Sequence, residues 1–326
     1  MTNMKFPFPR LPNGLCLKVL KTMDPQEIIV YSFVSKNTLS LVKTLHLPIT
    51  SIRILMNARP QIFFEFGDIC IKFELKMCWN YETMINLNDL PVNVKVLTGK
   101  IERKLELTMS NQGMSFGEWI QHLCSFTDKV KLYEGDFHVG HIHFDIQTLR
   151  KTFPKLRNIV ITCFREETEQ RVFYAQTILK AFLPDVQNVE LWRVPLQEKL
   201  SLQHIGMANL KQLGCYRKGN MNIDCLFTWN FESCIIDTDR MPLCDLNRFF
   251  KLWKKGSNPK LKELILSFDT EIDTNWNVLL KGLKAEEVER EERSMKYIIK
   301  NCRGVSAEIE ICHFEEEASI EFTVSN

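Results

Sequence analysis

The sequence has no surplus of charge of either sign. Lys and Arg number 42 against 40 Asp and Glu, a formal charge of +2. No strong overall field is available to hold a phosphate backbone or an anionic membrane, so neither nucleic acid nor a membrane is expected as a partner. Glycine is scarce, 13 in 326 residues, and Gly99-Lys100 has no glycine five residues before it, which excludes a P-loop. No apolar run reaches the roughly 18 residues of a membrane-spanning helix, and prolines at 7, 9 and 12 stand where a signal peptide would be apolar. Asn-x-Ser/Thr acceptors are also missing. Eleven cysteines, an odd number, occur nowhere as C-x-x-C and mostly sit in apolar stretches, so they read as reduced core residues. The expected location is cytoplasmic and/or nuclear.

Catalytic signatures are equally sparse. Neither Gly-x-Ser-x-Gly nor His-Glu-x-x-His occurs. His141 and His143 would share one face of a strand near His138, but no companion pair sits at metal-ligand spacing, so they read as structural or solvent-facing residues. Cys215, Cys225, Cys234 and Cys244 fall about ten apart, and two of them occupy apolar positions of the repeats described below. Lys251, Lys254 and Lys255 around Trp253 read as a solvated helix face. No catalytic residue, metal or cofactor is expected. The chain reads as a binding protein.

With 45% hydrophobic residues the chain can bury a core, and at 326 residues it exceeds the size at which single cores stop growing. Two domains are expected. The first 47 residues carry three helix signatures: Leu11-Pro12 ahead of an expected buried stripe of Leu15, Val19, Leu20 and Met23; Asp24-Pro25-Gln26-Glu27 opening a helix with Ile28, Ile29 and Phe33 on its apolar face; and Ser35 capping a third with Leu39, Val42 and Leu45. Three such helices cannot enclose a core alone and need a partner surface.

From residue 51 the period falls to two, and strands are expected at 51–56, 61–66 and 68–75, with further strand between Leu90 and Met109 and a helix from Phe116 to Phe126. Between about 150 and 270 an apolar φ-x-x-φ-x-φ pattern appears five times, starting at Leu156, Val186, Leu210, Phe231 and Leu261. The spacing is close to that of leucine-rich repeats, each giving a short strand and a return segment such as 174–182 or Leu243–Lys254. Beyond Thr274 a helix is expected to about Asn301, with the charged run 286–293 as its solvated face, and then a terminal hairpin. The fold class is therefore α+β, a small N-terminal three-helix unit followed by a larger β-rich, irregular leucine-rich-repeat-like α/β domain.

If the five segments are neighbouring strands, alternation sends Val160, Thr162, Glu190, Trp192, Gly214, Tyr216, Ile235, Asp237, Ile265 and Ser267 to the face away from the core. Trp192 and Tyr216 would then be adjacent, flanked by Glu190 and Asp237, in the composition of a protein-binding hot spot. These four are the candidate target-binding residues.

Phe6-Pro-Phe-Pro-Arg-Leu-Pro12, Leu15, Val19, Leu20, Met23-Asp24-Pro25, Phe33-Val34-Ser35-Lys36 and Leu41-Val42-Lys43 together resemble an F-box. Leu246-Asn-Arg-Phe-Phe-Lys-Leu-Trp-Lys-Lys-Gly-Ser-Asn-Pro-Lys-Leu-Lys-Glu-Leu264 and the segment from Trp229 to Cys234 are similar to the F-box-associated type 2 domain of a family expanded in nematodes. Asn13-Gly14 and the lack of an aromatic at 38–40 depart from the F-box pattern. The resemblance implies an F-box at 6–47 and an F-box-associated substrate-binding domain at 50–326, its type 2 core at about 150–270. It further implies a non-enzymatic substrate-recognition subunit of a Skp-cullin-F-box ubiquitin ligase. One end would bind a Skp-type adaptor, and through it a cullin, by Leu11, Pro12, Leu15, Val19, Met23, Asp24, Pro25, Ile28, Val34 and Ser35. The other end would hold an unknown target protein. The alternative is a ligase-independent protein-interaction module with a weakened F-box, and an enzyme using the histidine cluster is a third class.

Overall fold

The computed structural model describes residues 11–78, 85–100, 103–125, 132–143, 145–163, 168–194, 205, 208, 210–217, 224–269, 275–314 and 317–325. The chain divides into two compact units, Met1–Leu156 and Arg157–Asn326. The three N-terminal helices thus share a unit with the strands that follow them. Phe6 to Arg10 and Phe126, named in the reading above, lie outside the described residues.

In the first unit, helices α1 (Asn13–Leu20), α2 (Pro25–Tyr31) and α3 (Lys36–Thr44) come first. Pro12 stands at the N-cap of α1, and Ser35 caps α3 by accepting the Thr38 amide at 3.2 Å. At α2 the Asp24 amide donates to Glu27 Oε2 at 3.2 Å, so the carboxylate also sits at the positive end of the helix. Strands β1 (Ser51–Met56), β2 (Gln61–Phe66) and β3 (Ile69–Lys76) form the expected antiparallel meander, and Gly67 makes the turn before β3 with φ 61°. A short β4 (Ile85–Asn86) precedes β5 (Asn93–Lys100) and β6 (Arg103–Met109). Helix α4 (Phe116–Cys124), strands β7 (Leu132–His138) and β8 (Ile142–His143), and helix α5 (Ile146–Thr152) complete the unit. The sheet order is β7-β1-β2-β3-β5-β6, with β7 parallel to β1 and the rest antiparallel. Alternation does the burying: Ile52, Ile54, Ile62, Phe64, Ile71, Phe73, Val94 and Val96 are fully enclosed. At β6 the alternating Leu107 is exposed and Met109 only half-buried.

In the second unit the five repeats become strands β9 (Asn158–Thr162), β10 (Asn188–Trp192), β11 (Gln212–Tyr216), β12 (Ser233–Thr238) and β13 (Glu263–Asp269), parallel and adjacent in chain order. Every apolar position of the five patterns is buried. Helices α6 (Glu169–Phe182), α7 (Asp224–Thr228) and α8 (Leu243–Lys254) lie between strands in the sequence. Phe250 and Trp253 of α8 pack on Phe322 at ring distances of 5.1 and 5.0 Å. Truncating such a buried side chain costs about 3–5 kcal/mol. The chain ends with β16 (Ser306–His313) and β17 (Glu317–Val324), the expected hairpin, and β17 adds antiparallel to β13.

Two expectations are corrected. The helix from about 275 to 301 is instead a four-residue α9 (Asn277–Leu280) followed by β14 (Glu286–Arg290) and β15 (Ser294–Lys300). Gly282 and Lys284 adopt φ of 75° and 50°, which stops a helix, and β14 pairs with β15 with all five of its side chains exposed. The cysteines are not uniformly core: Cys16, Cys163, Cys215, Cys225 and Cys234 are buried, but Cys70, Cys78, Cys244 and Cys302 are exposed. The last four lie outside or at the margins of buried apolar positions. Among the described residues no helix is long and apolar enough to cross a membrane, and no three His, Cys, Asp or Glu side chains are grouped to hold a metal. His138 lies 3.4 Å from Asp136, His141 falls just outside β8, and the side chain of His143 is not among those described.

Candidate functional site

The first unit presents an apolar surface on its N-terminal helices. In α1 it is Cys16 and Leu20 that turn inward, whereas Leu15 and Val19, expected in the buried stripe, are exposed by 48% and 40%. With Leu15, Cys16, Leu17, Val19 and Leu20 all apolar in an eight-residue helix, the pattern does not single out the inward side. Val34, between α2 and α3, is 62% exposed. Pro12, Asp24 and Ser35 are exposed as well, while Leu11, Met23 and Pro25 are half-buried. Ile28 is buried, so it supports the helices from within instead of facing outward.

These helices rest on α4 and β5. Phe33 stacks on His122 at 4.1 Å and tilts against the enclosed Trp119 at 4.5 Å. Ser32 Oγ donates to the Ile29 carbonyl at 2.6 Å, which leaves its lone pairs to accept from His122 Nε2 at 2.8 Å. That role places a proton on Nε2. Burial, followed by the charge of Lys43, lowers the His122 pKa to about 4, so the ring is neutral in ordinary conditions. Thr98 Oγ1 donates to Gln26 Oε1 of α2. The partner surface the three helices need is thus supplied in part by the same unit. Helix α4 can approach closely because Gly117 has no side chain: a Cβ there would meet the Leu87 carbonyl oxygen at 3.2 Å.

The second unit presents an aromatic pair. Trp192 and Tyr216 occupy paired positions of β10 and β11, and their rings stack at 3.9 Å with planes 16° apart. Trp192 is 41% exposed and Tyr216 half-buried. Gly214 makes room for the phenol, since a Cβ there would lie 2.8 Å from Tyr216 Cε2. Trp192 Nε1 donates to Glu190 Oε2 at 3.2 Å. Burial, then the charges of Glu190 and Asp237, raise the Tyr216 pKa, so both carboxylates lie within electrostatic reach of the ring. The terminal hairpin extends the sheet beside β13 and does not cover the pair. Of the outward-expected set, Thr162 and Gly214 are buried, Thr162 at the register position beside Trp192 and Gly214 under the Tyr216 ring.

Residues 8–50 match the F-box domain, and residues 201–266 match the F-box associated family. The chain carries an F-box and an F-box-associated region. The F-box match spans α1 to α3 with their flanks, and the F-box-associated match ends within β13, so it covers β11, β12 and α8 but not Trp192. No curated protein and no solved structure matches the chain. The platform under the F-box was not identified from sequence. A helix from Phe116 is legible in the sequence, but nothing in spacing ties Trp119 of α4 to Phe33 across 86 residues of chain.

Proposed function

We propose that this F-box protein is the substrate-recognition subunit of a Skp-cullin-F-box type ubiquitin ligase. The F-box helices dock on the Skp-type adaptor, and the adaptor links the chain to a cullin. The observation that carries this reading is that Leu15, Val19 and Val34 stay exposed on an F-box that is already packed on its own unit through Phe33 and Ser32. Exposed apolar side chains on a packed support are what an apolar interface uses. Leu11, Pro12, Met23, Asp24, Pro25 and Ser35 are assigned to the same adaptor contact by their place within the F-box match. Ile28 acts indirectly, by fixing α2. The second unit holds the target through Trp192 and Tyr216, with Glu190 and Asp237 beside them. The chain performs no chemical step; it contributes proximity between target and a ubiquitin-charged enzyme.

Affinity capture from cells, comparing the parent chain with Leu15→Asp/Val19→Asp and with Trp192→Ala/Tyr216→Ala, tests both ends. The first variant should lose adaptor and cullin and keep target. The second should lose target and keep adaptor. A ligase-independent role is indicated instead if the parent captures a target but no adaptor.

A further inference from the structure

Among the described residues, the sheet of the second unit buries its apolar repeat positions on one face, while the other carries the exposed Glu190, Trp192 and Glu321 with the half-buried Ile235 and Ile265, and the pairing register fixes which side chains share that side. One row across successive strands reads Glu190, Gly214, Ile235, Ile265, Glu321 and Glu310. A carboxylate stands at one end, a small and aliphatic stretch in the middle, and two carboxylates at the other end. The neighbouring row adds Glu263 and Glu308, with Thr323 between them. Lys296 and Lys300 share the face on β15. Lys296 is already held by Glu289 at 3.6 Å and Glu310 at 3.5 Å. Arg193 and Arg217 directly follow the two aromatics in the sequence, just beyond the strand ends. The whole chain is nearly neutral at +2, so the acidity of this face is a matter of placement and not of composition.

We infer that this face takes a short extended segment of the target that reads basic, apolar, basic, with its first cation on the exposed Trp192 ring beside Glu190. This rests on the reading of the second unit as the target-holding part. An ammonium or guanidinium over an indole is attracted by the ring's electron-rich face, and a nearby carboxylate adds to it. The Tyr216 ring, which lies over Gly214, and the aliphatic pair Ile235 and Ile265 receive small apolar side chains, and Glu321, next to the Glu310 that Lys296 already pairs with, receives the second cation. From β10 to β16 there are five strand steps, in the order β10-β11-β12-β13-β17-β16. At about 4.8 Å each the path is roughly 24 Å, the reach of about seven extended residues.

The test uses the full chain and two fluorescein-labelled heptapeptides, Arg-Val-Ala-Val-Ala-Lys-Lys and its counterpart with Glu replacing each cation, followed by anisotropy at low ionic strength. The basic peptide should bind the parent and the acidic one should not. Trp192→Ala and Glu190→Gln/Glu321→Gln should each weaken binding by about tenfold or more, while Trp192→Phe, which keeps a ring, should weaken it less. Glu291→Gln/Glu292→Gln, a charge-matched change in the exposed turn between β14 and β15, should leave it unchanged. The inference is overturned if the basic peptide fails to bind the parent, if the acidic peptide binds equally, or if the turn variant loses as much as the face variant. If Trp192→Ala abolishes target capture in cells while no basic peptide binds, the charge assignment falls and the target-holding face stands. If Trp192→Ala leaves capture untouched, the face itself falls.

Discussion

Replacing Trp192 by alanine separates a ring that lies on the surface from one that belongs to the core. The side chain is 41% exposed, so about three-fifths of it is hidden, largely against Tyr216 at a ring distance of 3.9 Å. A tryptophan presents roughly 200 Å2, so the hidden part is about 120 Å2, worth about 3 kcal/mol at 25 cal/mol per Å2. Compactness of the unfolded chain and the Cβ that alanine retains reduce this to about 2 kcal/mol. Trp119, fully enclosed beneath Phe33, should instead cost about 3–5 kcal/mol on the same change. Urea denaturation of the two variants beside the parent measures both. A loss of about 4 kcal/mol or more for Trp192→Ala would show that the ring is core and would refute its assignment to a binding face. A loss near zero would contradict the stack with Tyr216.

Other consequences follow from particular groups. His122 is neutral when folded, with its pKa lowered to about 4 by burial and by Lys43; stability is therefore full above the unfolded value of about 6.5 and falls as pH drops through 4, by roughly 2 kcal/mol once partial exposure is allowed for. His122→Gln should flatten that part of the pH profile in denaturation midpoints. Gly214→Ala should push the Tyr216 ring off its strand, because the new Cβ would meet Cε2 at 2.8 Å; target capture should drop more than stability does, and unchanged capture would count against the aromatic pair. Thiol labelling of the folded chain should modify Cys70, Cys78, Cys244 and Cys302 first, and Cys16, Cys163, Cys215, Cys225 and Cys234 only on unfolding; eleven thiols should react in denaturant without reductant.

The parallel strands were legible because each repeat carries its own inward triplet, as in Val186, Val189 and Leu191, and the register then placed Trp192 beside Tyr216 without further information. Helix α8 was legible for the same reason, since Leu246, Phe249, Phe250 and Trp253 keep helical spacing and are all buried. The hairpin of β14 and β15 was not. Its first strand, Glu286 to Arg290, buries nothing, so it shows no period of two, and glutamate-rich composition favours a helix locally. The inward side of α1 was misread because Leu15, Cys16, Val19 and Leu20 are all apolar and only tertiary packing on the first unit chooses between the pairs. Long-range contacts such as Ser32 to His122 leave no trace in spacing at all.

Titration calorimetry of the purified chain with a purified Skp-type adaptor tests the central claim most directly. The parent should form a one-to-one complex, and Leu15→Asp/Val19→Asp, which alters only exposed positions, should bind about thirtyfold more weakly or worse, the equivalent of about 2 kcal/mol, with its denaturation midpoint unchanged. A parent chain that releases no binding heat with adaptor, or a variant that binds as tightly as the parent, would contradict the assignment of this protein as an adaptor-docked substrate receptor.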